Sequence, residues 1–406
     1  MAKQVLIIGA GKEQKRMFEL AQRLGLVIIA VDVNPSAACF FMAHHSIVAS
    51  SRDPGRILAQ LAELGLRPDA VTTLGSDVPL TLAGIAKFFG LTGPSMASAD
   101  LLIDKYRMKE AFRRTGIPTP PQLLLRAADN LNHVHGLPEG RLISKPTVGR
   151  GSAGVARADN PDDLEAAVTL SRAASENGDI VIESYVDGPQ FSVEGFVLDG
   201  KTTLVGISER NYSRNDISYP HVVEDGGTIA ENYSTAFFAK AEGLLSDCAD
   251  ALLIRNGPIK GDFVQDTSGD LQVIEIAGRL SGGWLASHQI PAARGVDLVE
   301  INLRHALGEQ ITAKDLRPRV QKATAIRYWF PSAGTLRQIT GYENLKNRPD
   351  VILTELFVNV GDVLVSPRKH SDRVGCVISV APSKQEAIER AESAIRSVSF
   401  QTTVGE

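Results

Sequence analysis

The chain has 406 residues, of which 43% are hydrophobic and 22% are charged, and its formal net charge is −4. A chain of this length exceeds what one hydrophobic core usually supports, so we expect about two to four domains or subdomains. Because acidic and basic residues are interspersed without a basic run, we expect neither nucleic acid nor an anionic membrane surface as a partner.

The apolar stretches and the cysteines predict a cytoplasmic protein. Residues 1–9 contain one lysine and a short apolar stretch, without the length or the cleavage site of a signal peptide. The sequence has no apolar run of about 18 residues, the length that a membrane helix needs. Cys39, Cys248 and Cys376 are too far apart in the sequence to indicate a disulfide framework or a zinc site.

In chain order, the N-terminal region alternates between apolar runs and helical spacing. Strands alternating with helices predict a doubly wound parallel sheet, and so an α/β domain. The predicted strands are 5–9, 27–33 and 70–73, and the predicted helices are 12–24, 57–64 and 79–89.

A dinucleotide site is one alternative for this region. Gly9 and Gly11 follow the first predicted strand and Asp32 ends the second, as in a dinucleotide-binding fingerprint. The third glycine position holds Gln14, so the close packing of helix on strand that glycine permits there is missing. An NAD(P)-dependent oxidoreductase is therefore kept as a competing hypothesis.

Helices and paired strands are mixed in the rest of the chain. We expect one amphipathic helix over 98–114, which the prolines of 116–121 end. Further expected elements are strands at 192–198 and 203–208 paired about a turn, a helix at 235–254, a hairpin at 256–280, strands at 324–328 and 374–380, and a helix at 384–398.

The Gly-rich segment 144–155 is the most informative local pattern. Its three glycines and Ser152 allow backbone N–H groups to close around an anion, and Lys145 and Arg150 add positive charge. The spacing is not that of a Walker loop, which ends in Gly-Lys-Ser/Thr. The segment predicts strand, phosphate loop, helix and strand in a different nucleotide-binding fold, with a Gly-rich surface turn as the alternative.

Two carboxylates, Asp262 and Glu275, stand amid apolar residues on the two arms of the hairpin predicted at 256–280. If they meet across the strand pair, their repulsion is costly unless a cation neutralises them. Mg²⁺ bound by one or two carboxylates plus nucleotide phosphates fits this need. The alternative is a pair of exposed acids on the polar face of the hairpin.

Together these segments resemble the ATP-grasp enzymes, over essentially the whole chain. The resemblance implies a mixed α/β (α+β) fold: a doubly wound parallel sheet at 1–95, an ATP-grasp core of two α+β subdomains at 96–310, with a mobile subdomain at about 122–190, and a small β-rich lid at 311–406. The residues that carry it, in the family's order, are Lys105, the Lys145 loop, 183–194, Asp262 and 275–279.

The resemblance implies which residues bind ATP. Two lysines would touch the α- and β-phosphates, a task that suits their flexible point charge. Tyr185 is placed in the same segment as the adenine-reading hinge, although we expect its ring to pack in the core. The implied set is Lys105 and Lys145 for the phosphates, Gly149, Gly151, Ser152 and Gly154 for the flap, Glu183 and Val186 for the hinge, and Gln190, where many relatives have glutamate, for the ribose.

The resemblance also implies the catalytic and metal-binding residues. Asp262 and Glu275 match the ligands of Mg²⁺ (or Mn²⁺), and Arg279 matches the arginine that steadies the transferred phosphoryl group or the acyl phosphate through its planar fork. Lys260 could assist Arg279, with a surface lysine as the alternative.

One position departs from the family's pattern. Many relatives have an asparagine as a third metal ligand two residues after the glutamate, and here that position is Ala277. Relatives from the purine pathway also tolerate alanine at this point. Glu194 is a candidate substitute.

The implied function is ligation of a small-molecule carboxylate to an amine through an acyl phosphate, with release of ADP and phosphate. An amino acid, a peptide or a sugar acid is the expected substrate, and the resemblance allows a homodimer. Alternatives are a purine-pathway ligase or carboxylase, and a non-catalytic ATP-binding protein on the same scaffold. The candidate substrate-contacting residues are His221, Glu224, His288 and Arg373.

Overall fold

A four-stranded parallel sheet forms the N-terminal domain in the structure, a computed structural model that describes residues 2–129, 131 and 140–403. The central strand is buried on both faces because its side chains are apolar from Val5 to Ile8. The strand order is β3-β2-β1-β4, and all pairings are parallel, which confirms the predicted sheet. The elements are β1 Gln4–Ile8, α1 Lys15–Arg23, β2 Val27–Asp32, β3 His45–Val48, α2 Pro54–Glu63, β4 Ala70–Thr73 and α3 Pro79–Phe89.

Two helices, α4 (Met96–Ile103) and α5 (Lys105–Thr115), replace the single helix predicted over 98–114, so that prediction is wrong. Asp104 separates them: its backbone is extended, and its side chain accepts a hydrogen bond from the backbone N–H of Arg107. An N-cap of this kind starts a new helix and satisfies one of its free N–H groups. Helix α5 therefore begins at Lys105.

A smaller antiparallel sheet carries the Gly-rich segment. Its strand order is β5-β8-β6-β7, and the chain between β6 and β7 forms a loop. The predicted strand, loop, helix and strand are present, with one additional short strand. The elements are β5 Gln122–Leu125, β6 Leu142–Pro146, β7 Ala156–Ala158, α6 Leu164–Ala174 and β8 Ile180–Ser184.

An eight-stranded antiparallel sheet forms the centre of the molecule, in the order β13-β12-β9-β10-β11-β14-β18-β16. The hairpin predicted at 256–280 is its β12–β13 pair. The elements are β9 Gln190–Leu198, β10 Lys201–Asn211, α7 Asn215–Ser218, β11 Gly226–Ile229, α8 Thr235–Ala251, β12 Gly257–Gln265, β13 Leu271–Ala277, a π-helical turn Leu285–Gln289, α9 Ile290–Arg294 and α10 Leu298–Ala306.

The C-terminal region contributes to this sheet as well as forming a small one of its own. Strand β14 pairs with β11, so the sheet is continuous across the boundary that was predicted near residue 311. A separate three-stranded sheet has the order β17-β15-β19. The elements are β14 Ala323–Tyr328, β15 Gly334–Thr340, α11 Tyr342–Leu345, β16 Val351–Leu356, β17 Val363–Leu364, β18 Gly375–Ala381, α12 Lys384–Arg396 and β19 Ser399–Thr403.

One hydrophobic cluster joins the N-terminal domain to the central region, because it includes side chains of β1, α1, α9 and α10. At the loops above it the backbones touch: a Cβ on Gly75 would lie 2.9 Å from the Cα of Gly282. This packing places the loops after β1 and β4 beside the segment that follows β13. In the part of the chain that the structure describes, no helix is both long and apolar enough to cross a membrane.

Candidate active site

A cavity of about 920 Å³ lies where the N-terminal loops, the Gly-rich loop, the central sheet and the C-terminal region meet. It brings together most of the residues that the sequence predicts for the site. These are Lys105, Lys145, Gly149, Gly151, Ser152, Glu183, Tyr185, Val186, Gln190, Glu224, Lys260, Asp262, Glu275, Arg279 and Arg373.

Three predicted residues lie outside the cavity lining. Gly154 has φ +71°, and a Cβ there would lie 2.5 Å from the Cβ of Ala174, so this glycine lets the loop pack on α6. His288 contacts the hydroxyl of Ser287, and its charged neighbours are on α1 and at the start of α10. His221 pairs through its backbone with Ala156, and the next residue lines the cavity instead. Neither histidine lines this cavity, and their substrate contacts stay predictions.

The two predicted phosphate lysines reach the cavity from different elements. Lys105 is the first residue of α5; its Nζ donates to the carbonyl oxygen of Gly149 at 3.0 Å and lies 3.7 Å from the carboxylate of Glu275. Lys145 lies in β6, is 4% exposed, and places its Nζ 2.8 Å from Oε1 of Glu183. Both ammonium groups are thus held in place by groups on neighbouring elements.

Lys109 is a third lysine of this cluster that sequence reasoning missed. It lies one helical turn after Lys105, is 1% exposed, and places its Nζ 2.7 Å from Oε2 of Glu183. Burial lowers the pKa of Lys109 to about 8. Burial alone would raise the pKa of Glu183, but the ammonium groups of Lys109 and Lys145 outweigh it and lower that pKa. The i, i+4 spacing from Lys105 was the available signal.

Asp262 and Glu275 stand directly opposite each other on β12 and β13. Asp262 is 5% exposed, so the alternative of two exposed acids is wrong for it. Its carboxylate accepts a hydrogen bond from Ser192 Oγ at 2.7 Å and pairs with Lys260 and, at 3.2 Å, with Arg210. Burial opposes ionisation of Asp262, yet these cations keep its pKa well below the usual range. In the described ranges, no three His, Cys, Asp or Glu side chains gather as a metal cluster.

The next row of the same sheet holds Ala277, Lys260 and Glu194 side by side. Glu194 is fully buried, accepts a hydrogen bond from the backbone N–H of Ser281 at 2.7 Å, and has an Oε2 without a hydrogen-bond partner among the described residues. Burial raises the pKa of Glu194 to about 7. Glu194 does not line the cavity, and its role as the substitute for Ala277 stays a prediction.

Arg279 joins the central region to the N-terminal domain at the cavity wall. Its Nε and Nη2 donate to the two carboxylate oxygens of Asp77 at 2.7 and 2.9 Å, and its Nη1 donates to the carbonyl of Leu280 at 3.3 Å. Asp77 was not predicted as a site residue. Its place just beyond the carboxyl end of β4 was the signal, since ligands of parallel sheets bind at that edge.

The Gly-rich loop is held against the C-terminal region by His370. The backbone N–H of His370 donates to the carbonyl of Gly151 at 3.0 Å, and its Nε2 lies 3.0 Å from the hydroxyl of Ser152. Both loop residues have φ +58°. The loop therefore covers one end of the cavity, and its covering partner comes from a part of the sequence that no local pattern linked to it.

The hinge segment lines the opposite wall of this end. Tyr185 is half-buried, and the guanidinium of Arg141 lies 4.8 Å from the centre of its ring. The expectation that the ring packs in the core is wrong, because it faces the cavity together with Val186 and Gln190.

The other end of the cavity is assembled by residues from three regions. Glu13, in the loop after β1, accepts a hydrogen bond from the backbone N–H of Gly283 at 2.8 Å. Trp284, next in the chain, stacks on Phe357 with ring centres 5.3 Å apart and planes 6° apart. A flat apolar wall thus lies next to a carboxylate.

Arg373 and Glu224 continue this end toward the central sheet. The guanidinium of Arg373 lies 3.9 Å above the ring of Tyr328 and donates to the carbonyl oxygen of Glu224 at 2.6 Å. The carboxylate of Glu224 accepts two hydrogen bonds from Arg210 at 2.8 and 2.6 Å. Arg210 therefore links Glu224 with Asp262, a connection that the sequence did not indicate.

The dinucleotide hypothesis finds no support at the loop after β1. Gln14 is buried and its amide donates to the carbonyl of Leu74 at 2.7 Å. The carboxylate of Asp32 already accepts a hydrogen bond from the backbone N–H of Ala10 at 2.9 Å. Both positions that the fingerprint needs are thus used within the domain.

Two family models match the sequence. The model described as "ATP-grasp domain" matches residues 141–288, and the model described as "L-amino acid ligase C-terminal domain 2" matches residues 327–403.

Similar proteins share most of the chain. It is 26% identical over 415 residues to the uncharacterized protein y4rH of Sinorhizobium fredii, and this alignment covers 98% of this chain and 83% of that protein. It is 22% identical over 313 residues to an L-arginine-specific L-amino acid ligase of Bacillus subtilis, covering 76% of this chain and 74% of the relative.

Solved structures share the fold. An L-amino acid ligase from Bacillus licheniformis superposes with a TM-score of 0.83 at 20% identity and covers 99% of each chain. An N5-carboxyaminoimidazole ribonucleotide synthetase from Thermotoga maritima gives 0.70 at 18% identity, covering 99% of this chain and all of the other. The predicted mixed α/β fold is confirmed.

Proposed function

We propose that the chain is an ATP-dependent ligase that joins a carboxylate to an amine, since residues 141–288 match the model of the ATP-grasp domain. The observation that carries the proposal is one cavity in which Lys105, Lys145, Asp262, Glu275 and Arg279 converge. Lysines, carboxylates and a forked guanidinium are the groups that phosphoryl transfer requires.

The donor set fits Mg²⁺ through Glu275. Its side chain is 30% exposed and lines the cavity, and a carboxylate oxygen is a hard ligand of the kind that Mg²⁺ prefers. Asp262 stands beside it, although Lys260 and Arg210 already neutralise that carboxylate. When bound, Mg²⁺ would neutralise charge on the nucleotide phosphates.

The chain's own residues have defined tasks in this reaction. A substrate carboxylate oxygen attacks the γ-phosphorus of ATP, ADP leaves, and an amine then displaces phosphate from the acyl phosphate to form an amide. Arg279 offers the transferred group the N–H groups that Asp77 and Leu280 leave free. The loop that His370 holds excludes water, which would hydrolyse the acyl phosphate. Lys105 and Lys145 hold the phosphates.

An amino acid is the substrate that the second end of the cavity supports best. Glu13 places a carboxylate where it can accept a hydrogen bond or a proton from an ammonium group, and Trp284 and Phe357 give a flat apolar wall for a side chain. The C-terminal match to a domain of L-amino acid ligases supports the same class. A peptide or a sugar acid remains within the proposal, as do a cytoplasmic location and a homodimer.

A purine-pathway ligase is the second candidate, because alanine stands at position 277 and the N5-carboxyaminoimidazole ribonucleotide synthetase shares the fold. The stacked rings of Trp284 and Phe357 form an apolar wall, which suits the side chain of an amino acid better than a phosphorylated ribose.

The test is an ADP-release screen with Mg-ATP, in which pairs of L-amino acids are compared with aminoimidazole ribonucleotide plus bicarbonate. We expect ADP release with an amino-acid pair, and Glu275→Gln should lower turnover about 100-fold or more while the fold is kept. Asp270→Asn, at the exposed turn of the same hairpin, is the control. Nucleotide binding without ADP release from any pair would instead support a non-catalytic ATP-binding protein.

A further inference from the structure

A largely buried cluster of three lysines and one glutamate lies at the end of the cavity that is proposed to hold the phosphates. Lys105 and Lys109 project from one face of α5, since they are four residues apart. Lys145 on β6 and Glu183 on β8 lie on adjacent strands of the small sheet. All four side chains are at most 14% exposed.

Glu183 is shared between two lysines. Its Oε2 lies 2.7 Å from Nζ of Lys109, and its Oε1 lies 2.8 Å from Nζ of Lys145. Lys145 and Glu183 line the cavity, whereas Lys109 stands behind them. Whatever Lys109 does for a ligand, it therefore does through Glu183.

The charges of this group do not balance. Lys105 has its own partner, since its Nζ lies 3.7 Å from the carboxylate of Glu275. Lys109 and Lys145 then bring two positive charges to the one negative charge of Glu183, and these three side chains are almost fully buried. An uncompensated buried charge is costly, and an anion at the open side would remove the cost. The open side is where Lys145 meets the cavity.

We propose that Lys109 is a positioning residue for the nucleotide phosphates. It holds one oxygen of Glu183, so that the other oxygen holds Lys145 toward the cavity. It also gives the site without nucleotide one excess positive charge, which the phosphates neutralise. This inference rests on the proposed function, because it requires that ATP binds at this end.

A purely structural lysine would behave differently. In that case Lys109→Met would lower the thermal unfolding midpoint without nucleotide and leave nucleotide affinity unchanged. Under the proposal, Lys109→Met weakens nucleotide binding and does not lower the unfolding midpoint of the protein without nucleotide. Without Lys109 the remaining pair of Glu183 and Lys145 is neutral, so the protein without nucleotide loses its excess charge.

The experiment measures the Kd of Mg-ADP by calorimetry and the midpoint with and without Mg-ADP. We expect Lys109→Met to weaken binding about tenfold or more, to leave the midpoint of the empty protein unchanged or raised, and to reduce the shift that Mg-ADP produces. Lys87→Met, an exposed helix lysine, should match the wild type in all three.

A double-mutant cycle with Lys145→Met tests the route through Glu183. If Lys109 acts on Lys145, then Lys109→Met should change the Kd less than about twofold once Lys145 is methionine. If the losses of binding free energy in the two single variants add up in the double variant, the proposal is overturned. Lys109→Arg, which keeps the charge, should bind within about threefold of wild type, and it keeps the test open if the methionine variant fails to fold.

The two levels of the proposal fail in distinguishable ways. If the wild type binds no Mg-ADP, the proposed function is overturned and this inference with it. If the wild type binds and Lys109→Met binds equally well, only the role of Lys109 is overturned.

Discussion

The two ends of the cavity are built differently: the phosphate end holds Lys105, Lys145 and Glu183, and the acceptor end holds Glu13, Trp284 and Phe357. At the phosphate end the charged groups lie on a helix and on strands and are paired with one another, as Glu183 is with Lys145. At the acceptor end Glu13, Trp284 and Phe357 come from three loops in three regions of the chain. Rigid elements preorganise charge for a constant chemistry, whereas loops can vary with the substrate.

This difference predicts two kinds of mutational effect. Changes at the phosphate end should reduce turnover or nucleotide affinity, because in the proposed function those groups act on ATP. Changes at the acceptor end should raise the KM for the amine and leave the nucleotide alone. A variant at one end that changes the property assigned to the other end would show that the two ends are coupled.

The largest effect is expected for Arg279→Ala. In the proposed reaction its free N–H groups contact the transferred group, while Nε and Nη2 hold Asp77, so we expect kcat to fall about 1000-fold. Steady-state ADP release measures kcat, and calorimetry should still detect Mg-ADP. Arg304→Ala, which removes a surface ion pair with Glu309, is the matched control. A loss below about tenfold would exclude Arg279 from the chemical step.

The next effect concerns stability, at Glu194 between the two ends. Burial raises the pKa of Glu194 to about 7 in the folded chain, above its ordinary value of 4.5. Between these pH values the unfolded chain releases this proton and the folded chain keeps it, so the stabilising contribution present below pH 4.5 is lost as the pH rises through 7. The loss amounts to roughly 3 kcal/mol, from 1.36 kcal/mol per pH unit.

Glu194→Gln removes that titration while it can still accept the hydrogen bond from Ser281. Urea unfolding at pH 4 and pH 8 should therefore show the wild type losing about that much more stability than the variant. Glu309→Gln, at the surface, should follow the wild type. Parallel pH profiles of wild type and Glu194→Gln would show that Glu194 ionises normally.

The smallest effect is expected for Glu13→Gln, which tests the acceptor end. Glutamine can keep the hydrogen bond from Gly283 but loses the charge, so we expect the KM for the amine to rise about tenfold. The Kd of Mg-ADP should not change. Glu63→Gln, exposed at the end of α2, controls for surface charge. A weakened Kd of Mg-ADP in Glu13→Gln would show that the two ends do not act separately.

Local patterns predicted the phosphate end well. The hairpin places Asp262 opposite Glu275, but through a register shift between Asp262 and Phe263 that the sequence did not indicate, since an unbroken register from the turn would pair Asp262 with Ile274. The Gly-rich loop lies after a strand that ends near Lys145, as expected. The break at Asp104 was missed because helical spacing continues on both sides of that N-cap.

Contacts between distant segments could not be predicted in this way. Arg210 contacts Asp262 across the central sheet, and His370 contacts Ser152, which lies 218 residues earlier in the chain. No periodicity or spacing rule links such positions, since only the packing of whole domains brings them together. The close packing of Gly154 on Ala174 is a further contact that the local pattern did not indicate.

The sequence by itself predicted many of the strands and helices, the Gly-rich loop after β6, the hairpin that carries Asp262 and Glu275, and the family resemblance, because each depends on neighbours in the chain or across one turn. Only the tertiary structure decided that Lys109 stands behind Glu183, that Asp77 holds Arg279, and that Glu13 holds the backbone N–H of Gly283. The physical reason is that a charge or ring acquires its role from what surrounds it, and those surroundings come from other domains.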